Sequence, residues 1–251
     1  MIAPSREKSR RLDGKAARVL FYKKKNGGER MSLETLLEVR PGVTAVIGGG
    51  GKTTLLRTLG EELARQGRVL LCTTTKMLPD PDVPFAGDRQ TLMRLREGNP
   101  LLFAGTVHPE SGKIMAPEME MAELAEWFDY VLVEADGAAR LPLKAHAPHE
   151  PVIPPEANQT ICVVGASGFG RPIREAAHRP ELYAERGDVT PDAVVTGAIA
   201  AAVLEREALH DRIYVNQVDV LPGTEEVLRL DGLVRGPVVA GSLWKGEYFL
   251  C

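Results

Sequence analysis

Between Val46 and Thr54 the chain reads Val-Ile-Gly-Gly-Gly-Gly-Lys-Thr-Thr, a run whose residue types suit the holding of a polyphosphate. Glycines at Gly48, Gly49, Gly50 and Gly51 let successive backbone N–H groups turn toward an anion, and a helix starting just after them adds the positive end of its dipole. Lys52 would reach phosphate oxygens, and the Thr53 hydroxyl, with Thr54 beside it, would serve Mg²⁺. The common G-x-x-x-x-G-K-[ST] spacing would put its first glycine at Val46, so the loop is the shorter G-x-x-G-K-T-T. The bland alternative is a glycine-rich turn with an incidental lysine. The order of apolar strand, glycines, Lys-Thr-Thr and helix favours nucleotide binding.

A second signal is Tyr130-Val-Leu-Val-Glu-Ala-Asp-Gly137, an apolar strand running into two carboxylates, Glu134 and Asp136. Carboxylates in that place hold Mg²⁺ and position water in phosphoryl chemistry. Either could bind the ion, and the spacing alone does not choose. Thr73-Thr74-Thr75-Lys76 closes another strand on the same carboxyl edge, where ligands collect, so Thr75 and Lys76 are candidate substrate contacts.

Asn216-Gln217-Val218-Asp219 is similar to the N-K-x-D pattern that reads guanine, with Gln217 in place of the lysine that covers the base. The two oxygens of Asp219 could accept from guanine N1–H and N2 together, a pair that adenine does not offer. Asn216 and Asp219 are also ordinary turn residues. The segment Asp136 to Pro151 concentrates Arg140, Lys144, His146, His149 and Glu150, a set suited to an acidic substrate. His146 and His149 stand three apart, but no cysteine or further histidine accompanies them as a zinc site would require.

The elements that must position these groups alternate. Strands are expected at Val43–Ile47, Arg68–Thr73, Leu101–Ala104, Tyr130–Val133, Thr160–Val164, Arg212–Val215 and Val238–Val239. Helices are expected at Thr53–Gln66, Arg89–Glu97, Ala116–Trp127, Val194–Leu209 and Thr224–Leu230. Prolines make Leu78–Asp88 and Leu141–Pro155 loops. Near-continuous apolar strands between helices indicate an α/β fold, a mostly parallel sheet with helices on both faces in the three-layer manner of P-loop NTPases.

With 251 residues, 44% hydrophobic and 26% charged, the chain has ample length for one core, and neither disorder nor coiled coil fits. No apolar run approaches a membrane span. Residues 1–30 hold ten Lys or Arg against three acidic residues, a balance of +7; the rest, with 21 basic and 31 acidic, carries −10. The division expected is a basic, disordered extension at 1–30 and one α/β domain at 31–251. An acidic body argues against nucleic acid as a partner. Lys25-Asn-Gly-Gly-Glu29 can be encoded by a purine-rich stretch resembling a bacterial ribosome-binding site, which would place the translation start at Met31. Cys72, Cys162 and Cys251 form no CxxC pair, and a cytoplasmic setting fits them.

Taken together, Val46–Thr54, Thr73–Met77, Val131–Gly137, Pro142-Leu-Lys144, His149-Glu-Pro-Val-Ile-Pro154 and His178-Arg-Pro-Glu181 resemble the YqeC family, from about Met31 to near the C-terminus. The resemblance implies an accessory role in maturing a selenium-dependent molybdenum hydroxylase, that is, in selenium cofactor biosynthesis. The partners it implies are the apo-hydroxylase or a selenium/molybdenum cofactor intermediate. Joined to the residues, this gives an Mg²⁺-dependent protein that binds and hydrolyses GTP or ATP, with GTP favoured by Asp219. Two alternatives stand beside it. One is a small-molecule kinase or an ATP-dependent ligase, since the short loop is similar to that of Mur-type ligases. The other is a nucleotide-gated chaperone without turnover of its own.

Overall fold

Strand formation follows the apolar runs, and the helices that start after Asp88 and Thr196 follow side-chain caps at those residues. The computed structural model describes residues 31–251 together with the backbone of a two-residue strand, β1 (Leu20–Phe21). The expectation of a disordered extension otherwise lies outside the described residues. After β1 come α1 (Leu33–Leu36), β2 (Gly42–Gly48), α2 (Lys52–Leu63), β3 (Val69–Thr73), β4 (Phe85–Ala86), α3 (Arg89–Arg96) and β5 (Leu101–Ala104). A short hairpin of β6 (Thr106–Val107) and β7 (Ile114–Met115) leads to α4 (Met121–Trp127) and β8 (Tyr130–Glu134). The second half holds β9 (Leu143–Lys144), β10 (Ala157–Gly165), α5 (Ile173–Ala176), β11 (Ala177–His178), α6 (Pro180–Gly187) and α7 (Gly197–Glu207). It closes with β12 (Arg212–Asn216), α8 (Glu225–Asp231), β13 (Val238–Ser242) and β14 (Glu247–Leu250).

Ten strands form one sheet in the order β1-β14-β13-β12-β10-β2-β8-β3-β5-β4. Every pairing from β13 across to β4 is parallel; only β14 runs antiparallel, to both β13 and β1. The alternation of side chains along each strand builds three layers. Val46, Leu71, Leu132, Ile161, Val163 and Val239 meet Leu55, Leu56, Leu59 and Leu63 of α2 and Leu33 and Leu36 of α1 on one face. On the other face Leu70, Val131 and Val133 meet Leu92 of α3 and Leu124 of α4, while Val164, Ile213, Val215 and Ala240 meet α5 to α8. The chain is therefore an α/β protein with a large, mostly parallel sheet flanked by helices. No helix among the described residues is long and apolar enough to cross a membrane.

Two expected helices start later than the sequence pattern suggests. α4 begins at Met121 rather than Ala116, because Pro117 disfavours the helical conformation of the residue before it. α7 begins at Gly197 rather than Val194, because the Thr196 hydroxyl caps it by accepting from Ile199 N at 3.2 Å. β4 sits inside the expected 78–88 loop at the sheet edge, and β14, α1, α5 and α6 lie outside the expected list. The proline-rich 141–155 segment is a loop apart from β9, which pairs in parallel with β11 away from the main sheet.

Candidate functional site

The carboxyl ends of β2, β8, β10 and β12 meet at one edge, and the glycine run turns there. Gly50 adopts φ +82°, and a Cβ on it would lie 2.4 Å from the Gly165 Cα; a Cβ on Gly49 would lie 2.8 Å from the carbonyl oxygens of Leu141 and Pro142. No side chain fits at either position. Three amides that the sequence assigns to an anion have protein acceptors instead. Gly48 N donates to Asp136 Oδ2 (2.9 Å), Gly49 N to Val163 O (2.9 Å) and Gly50 N to Leu141 O (3.1 Å). The first glycines thus weld the loop to its neighbours. The amides of Gly51, Lys52, Thr53 and Thr54, at the start of the twelve-residue α2, have no protein acceptor among the described residues, as expected of a helix N-terminus. The set of amides without a protein acceptor begins at Gly51.

Lys52 is buried and folds back, its Nζ donating to Gly48 O at 2.7 Å and standing 3.0 Å from Asp136 Oδ1. Asp136 is fully buried and enclosed by donors: besides Gly48 N, its Oδ2 has His146 Nε2 at 2.6 Å and Lys144 Nζ at 3.4 Å. Burial alone would raise this carboxyl, but the His146 bond, Lys52 and Lys144 outweigh it and hold it down at about 2. His146 in turn places Nδ1 2.6 Å from Glu207 Oε2 on α7, and Glu207 Oε1 takes His146 N (2.7 Å) and Arg186 (3.1 Å). Burial would lower the His146 imidazole; Asp136 and Glu207 on its two nitrogens raise it instead. Lys144 also donates to Gly137 O and to Glu150 Oε2 (2.9 Å), and Glu150 is gripped from the other side by Arg179 (2.6 Å). Against the effect of its burial, Lys144 and Arg179 keep the Glu150 carboxyl below its usual value.

Glu134 stands apart from this cluster. It ends β8, lines the cleft and accepts from the exposed Thr53 hydroxyl at 2.7 Å. Burial pushes its carboxyl up, against the pull of Lys52 and the Thr53 bond. The two carboxylates that the sequence leaves equivalent therefore differ: Glu134 faces the cleft with Thr53, and Asp136 faces the interior. Thr73 donates to Glu134 O at 2.8 Å, with the Thr75 hydroxyl 3.3 Å away, so these threonines brace the end of β8.

The cleft has a volume of about 560 Å³, with Gly50 to Thr54 on one wall and Glu134, Lys76, Lys113, Arg140, Ser167 and Gln217 among its other lining residues. Of the expected substrate residues, Lys76 and Arg140 line it. Lys144 and Glu150 are tied up in the ion cluster, and His149 is exposed, outside the lining. Asn216 is a brace: its Nδ2 donates to Gly50 O at 2.7 Å, and its Oδ1 accepts from Leu243 N at 3.1 Å. Asp219 lies on the 3₁₀ turn Val218–Val220 with Lys245 3.9 Å away; Gln217 reaches the cleft and accepts from Ser167 at 2.6 Å. Sequence reasoning missed Lys113 and Glu207. One sits in a two-strand hairpin and the other in the last turn of a helix, and no local pattern marks either.

Mg²⁺ bound with a nucleotide needs only one or two protein oxygens, the rest coming from phosphates and water. Thr53 and Glu134 fit that requirement. Among the described residues no three His, Cys, Asp or Glu side chains converge as a metal site of their own.

The chain is 36% identical over 165 residues to the Escherichia coli (strain K12) protein described as "Uncharacterized protein YqeC". The match covers 62% of this chain and 64% of that relative, so the chain spans a little under two thirds of the relative's length. The family model described as YqeC protein matches residues 44–181, which run from β2 into α6 and take in the glycine loop, Glu134, Asp136 and the 137–154 loop. That span is more than half of the chain, and the chain belongs to the YqeC family.

Proposed function

We propose that this protein binds a nucleoside triphosphate with Mg²⁺ at the start of α2 and uses its hydrolysis or transfer in maturing a selenium-dependent molybdenum hydroxylase. The observation that carries the reading is the free amide set from Gly51 to Thr54 opening into the cleft, with the Thr53 hydroxyl bonded to Glu134 at 2.7 Å. In this reading the fold is P-loop NTPase-like. The amides and the α2 dipole hold phosphate oxygens, and Thr53 and Glu134 hold Mg²⁺, which neutralises charge on the transferring phosphoryl group. Lys52 leaves Gly48 O for the phosphates while Asp136, 3.0 Å away, keeps it aimed. Asp219 reads guanine, with Asn216 fixing the turn against Gly50.

Thr53→Ala is the cleaner test than a Lys52 variant, because loss of Lys52 would strand the buried Asp136 charge. Calorimetric titration with non-hydrolysable GTP and ATP analogues, with and without Mg²⁺, should give Mg²⁺-dependent binding to the parent. Thr53→Ala should fold normally and lose the Mg²⁺ dependence. Absence of saturable binding of either analogue to the parent at millimolar concentration would end this reading. Phosphate release with nucleotide alone, and with the apo-hydroxylase added, then separates intrinsic turnover from partner-gated turnover. A transfer reaction, kinase-like or ligase-like, is the second reading, and the cations Lys76, Lys113 and Arg140 lining the cleft favour it.

A further inference from the structure

Among the described residues most buried or half-buried cations have a carboxylate partner. Arg57 meets Asp80, Lys144 meets Glu150, Arg179 meets Glu150, Arg186 meets Glu207 and Arg212 meets Glu38. Lys76, Lys113 and Arg140 are exposed. All three line the cleft, and among the described residues none has a carboxylate within ion-pair distance. What sets the three apart is that they line one cleft, in a body whose residues 31–251 carry a net −10.

The three cations come from three separate segments that the fold binds together at this place. Lys76 leaves β3 and precedes Met77, which exchanges hydrogen bonds with Ile114 at 2.9 Å in each direction. That bridge brings the β6–β7 hairpin, and Lys113 with it, beside Lys76. Arg140 stands on a turn in which Ala139 and Arg140 both adopt positive φ, +47° and +63°, a left-handed conformation uncommon outside glycine. The turn is closed by Leu141 N to Ala138 O at 2.8 Å. It is docked on the glycine loop by Gly50 N to Leu141 O at 3.1 Å, and on β10 by Gly165 N to Pro142 O at 2.8 Å. Residues in sparsely populated backbone conformations cluster at ligand clamps and active sites.

We propose that Lys76, Lys113 and Arg140 form a second subsite, which binds a small acidic co-substrate carrying a phosphate or carboxylate group next to the nucleotide's terminal phosphate. The proposal rests on the nucleotide reading above and adds the class of the acceptor. Nucleotide charge already has its own complement in Lys52, the α2 amides and Mg²⁺. Three further cations lining the same cleft exceed what the same triphosphate requires, and they focus a positive potential that would concentrate a second anion. Arg140 adds a planar fork suited to two oxygens of one oxyanion.

The test is calorimetric titration with inorganic phosphate in one arm and succinate in the other, on the full chain held with saturating Mg²⁺ and a non-hydrolysable triphosphate analogue. The variants are Lys113→Gln, Arg140→Gln and their double. At least one anion should bind the parent; the single variants should weaken it about tenfold and the double more, with analogue affinity changed less than threefold. The arm that binds says whether the group recognised is a phosphate or a carboxylate. Failure of both anions to bind overturns the subsite. So does a loss of analogue affinity in the variants as large as the loss of anion affinity, because the cations would then serve the nucleotide's own phosphates. If the analogue itself does not bind but phosphate does, and the variants weaken it, the nucleotide reading has failed and the anion subsite stands.

Discussion

Replacing Asp136 with asparagine removes a negative charge from a fully buried point on which Lys52, Lys144 and His146 converge. Asparagine has the same shape, but one of its two terminal atoms becomes an N–H donor. Oδ2 faces the Gly48 amide, His146 and Lys144, and Oδ1 faces Lys52, so either orientation sets donor against donor. Breaking a buried ion pair by removing one partner costs about 3–5 kcal/mol. Each kcal/mol lowers the melting temperature of a domain this size by about 2–4 °C, so a fall of roughly 6–20 °C is expected. Glu134→Gln is the control two residues away. It keeps an oxygen for the Thr53 hydroxyl and removes no direct ion pair, so its melting temperature should stay within a few degrees while Mg²⁺-dependent nucleotide binding falls. Differential scanning calorimetry on both variants, followed by nucleotide titration, measures the contrast. An Asp136→Asn protein that melts within 2 °C of the parent would refute the assignment of Asp136 as an interior clamp. An Asp136→Asn protein of normal stability that alone lost Mg²⁺ dependence would reverse the two roles.

Three further outcomes are expected. His146 is raised above its ordinary value by Asp136 and Glu207, so its stabilising contribution is complete below about pH 6.5, the unfolded value, and is lost as pH rises through the folded one; His146→Gln should flatten that part of a stability–pH curve measured by urea unfolding, and an unchanged curve would remove His146 as its source. Asp219→Asn should weaken GTP by about 1–3 kcal/mol and strengthen XTP, whose carbonyl matches the new amide, with ATP poor throughout; a parent that prefers ATP, or an unmoved GTP-to-XTP ratio, would leave residues 216–219 as a turn only. Gly50→Ala should destabilise by more than 1 kcal/mol, because its Cβ would meet the Gly165 backbone at positive φ, and thermal melting checks this without reference to any ligand.

What the sequence by itself determined is local. A run such as Val43 to Ile47 followed by glycines and Lys52-Thr53-Thr54 specifies strand, turn and helix within about twenty residues, because burial period, φ freedom and helix-start chemistry all act between near neighbours. The same holds for β8 ending in acid, for the 141–155 loop and for the parallel sheet implied by their alternation. Tertiary structure decided how those pieces face one another. Glu134 and Asp136 look alike in sequence, and their difference arises because β8 stops at Glu134, so that Asp136 turns inward to Lys144 and His146 from its own loop and to Gly48 and Lys52 far earlier in the chain. The glycine amides read as a phosphate cradle until Val163, Leu141 and Asp136 arrive as their acceptors from other segments. Glu207 reaches His146 across sixty-one residues, and Lys113 reaches the cleft only through the bridge from Met77 to Ile114. Such contacts depend on which strands become neighbours, and side-chain type and spacing along the chain carry no record of that choice.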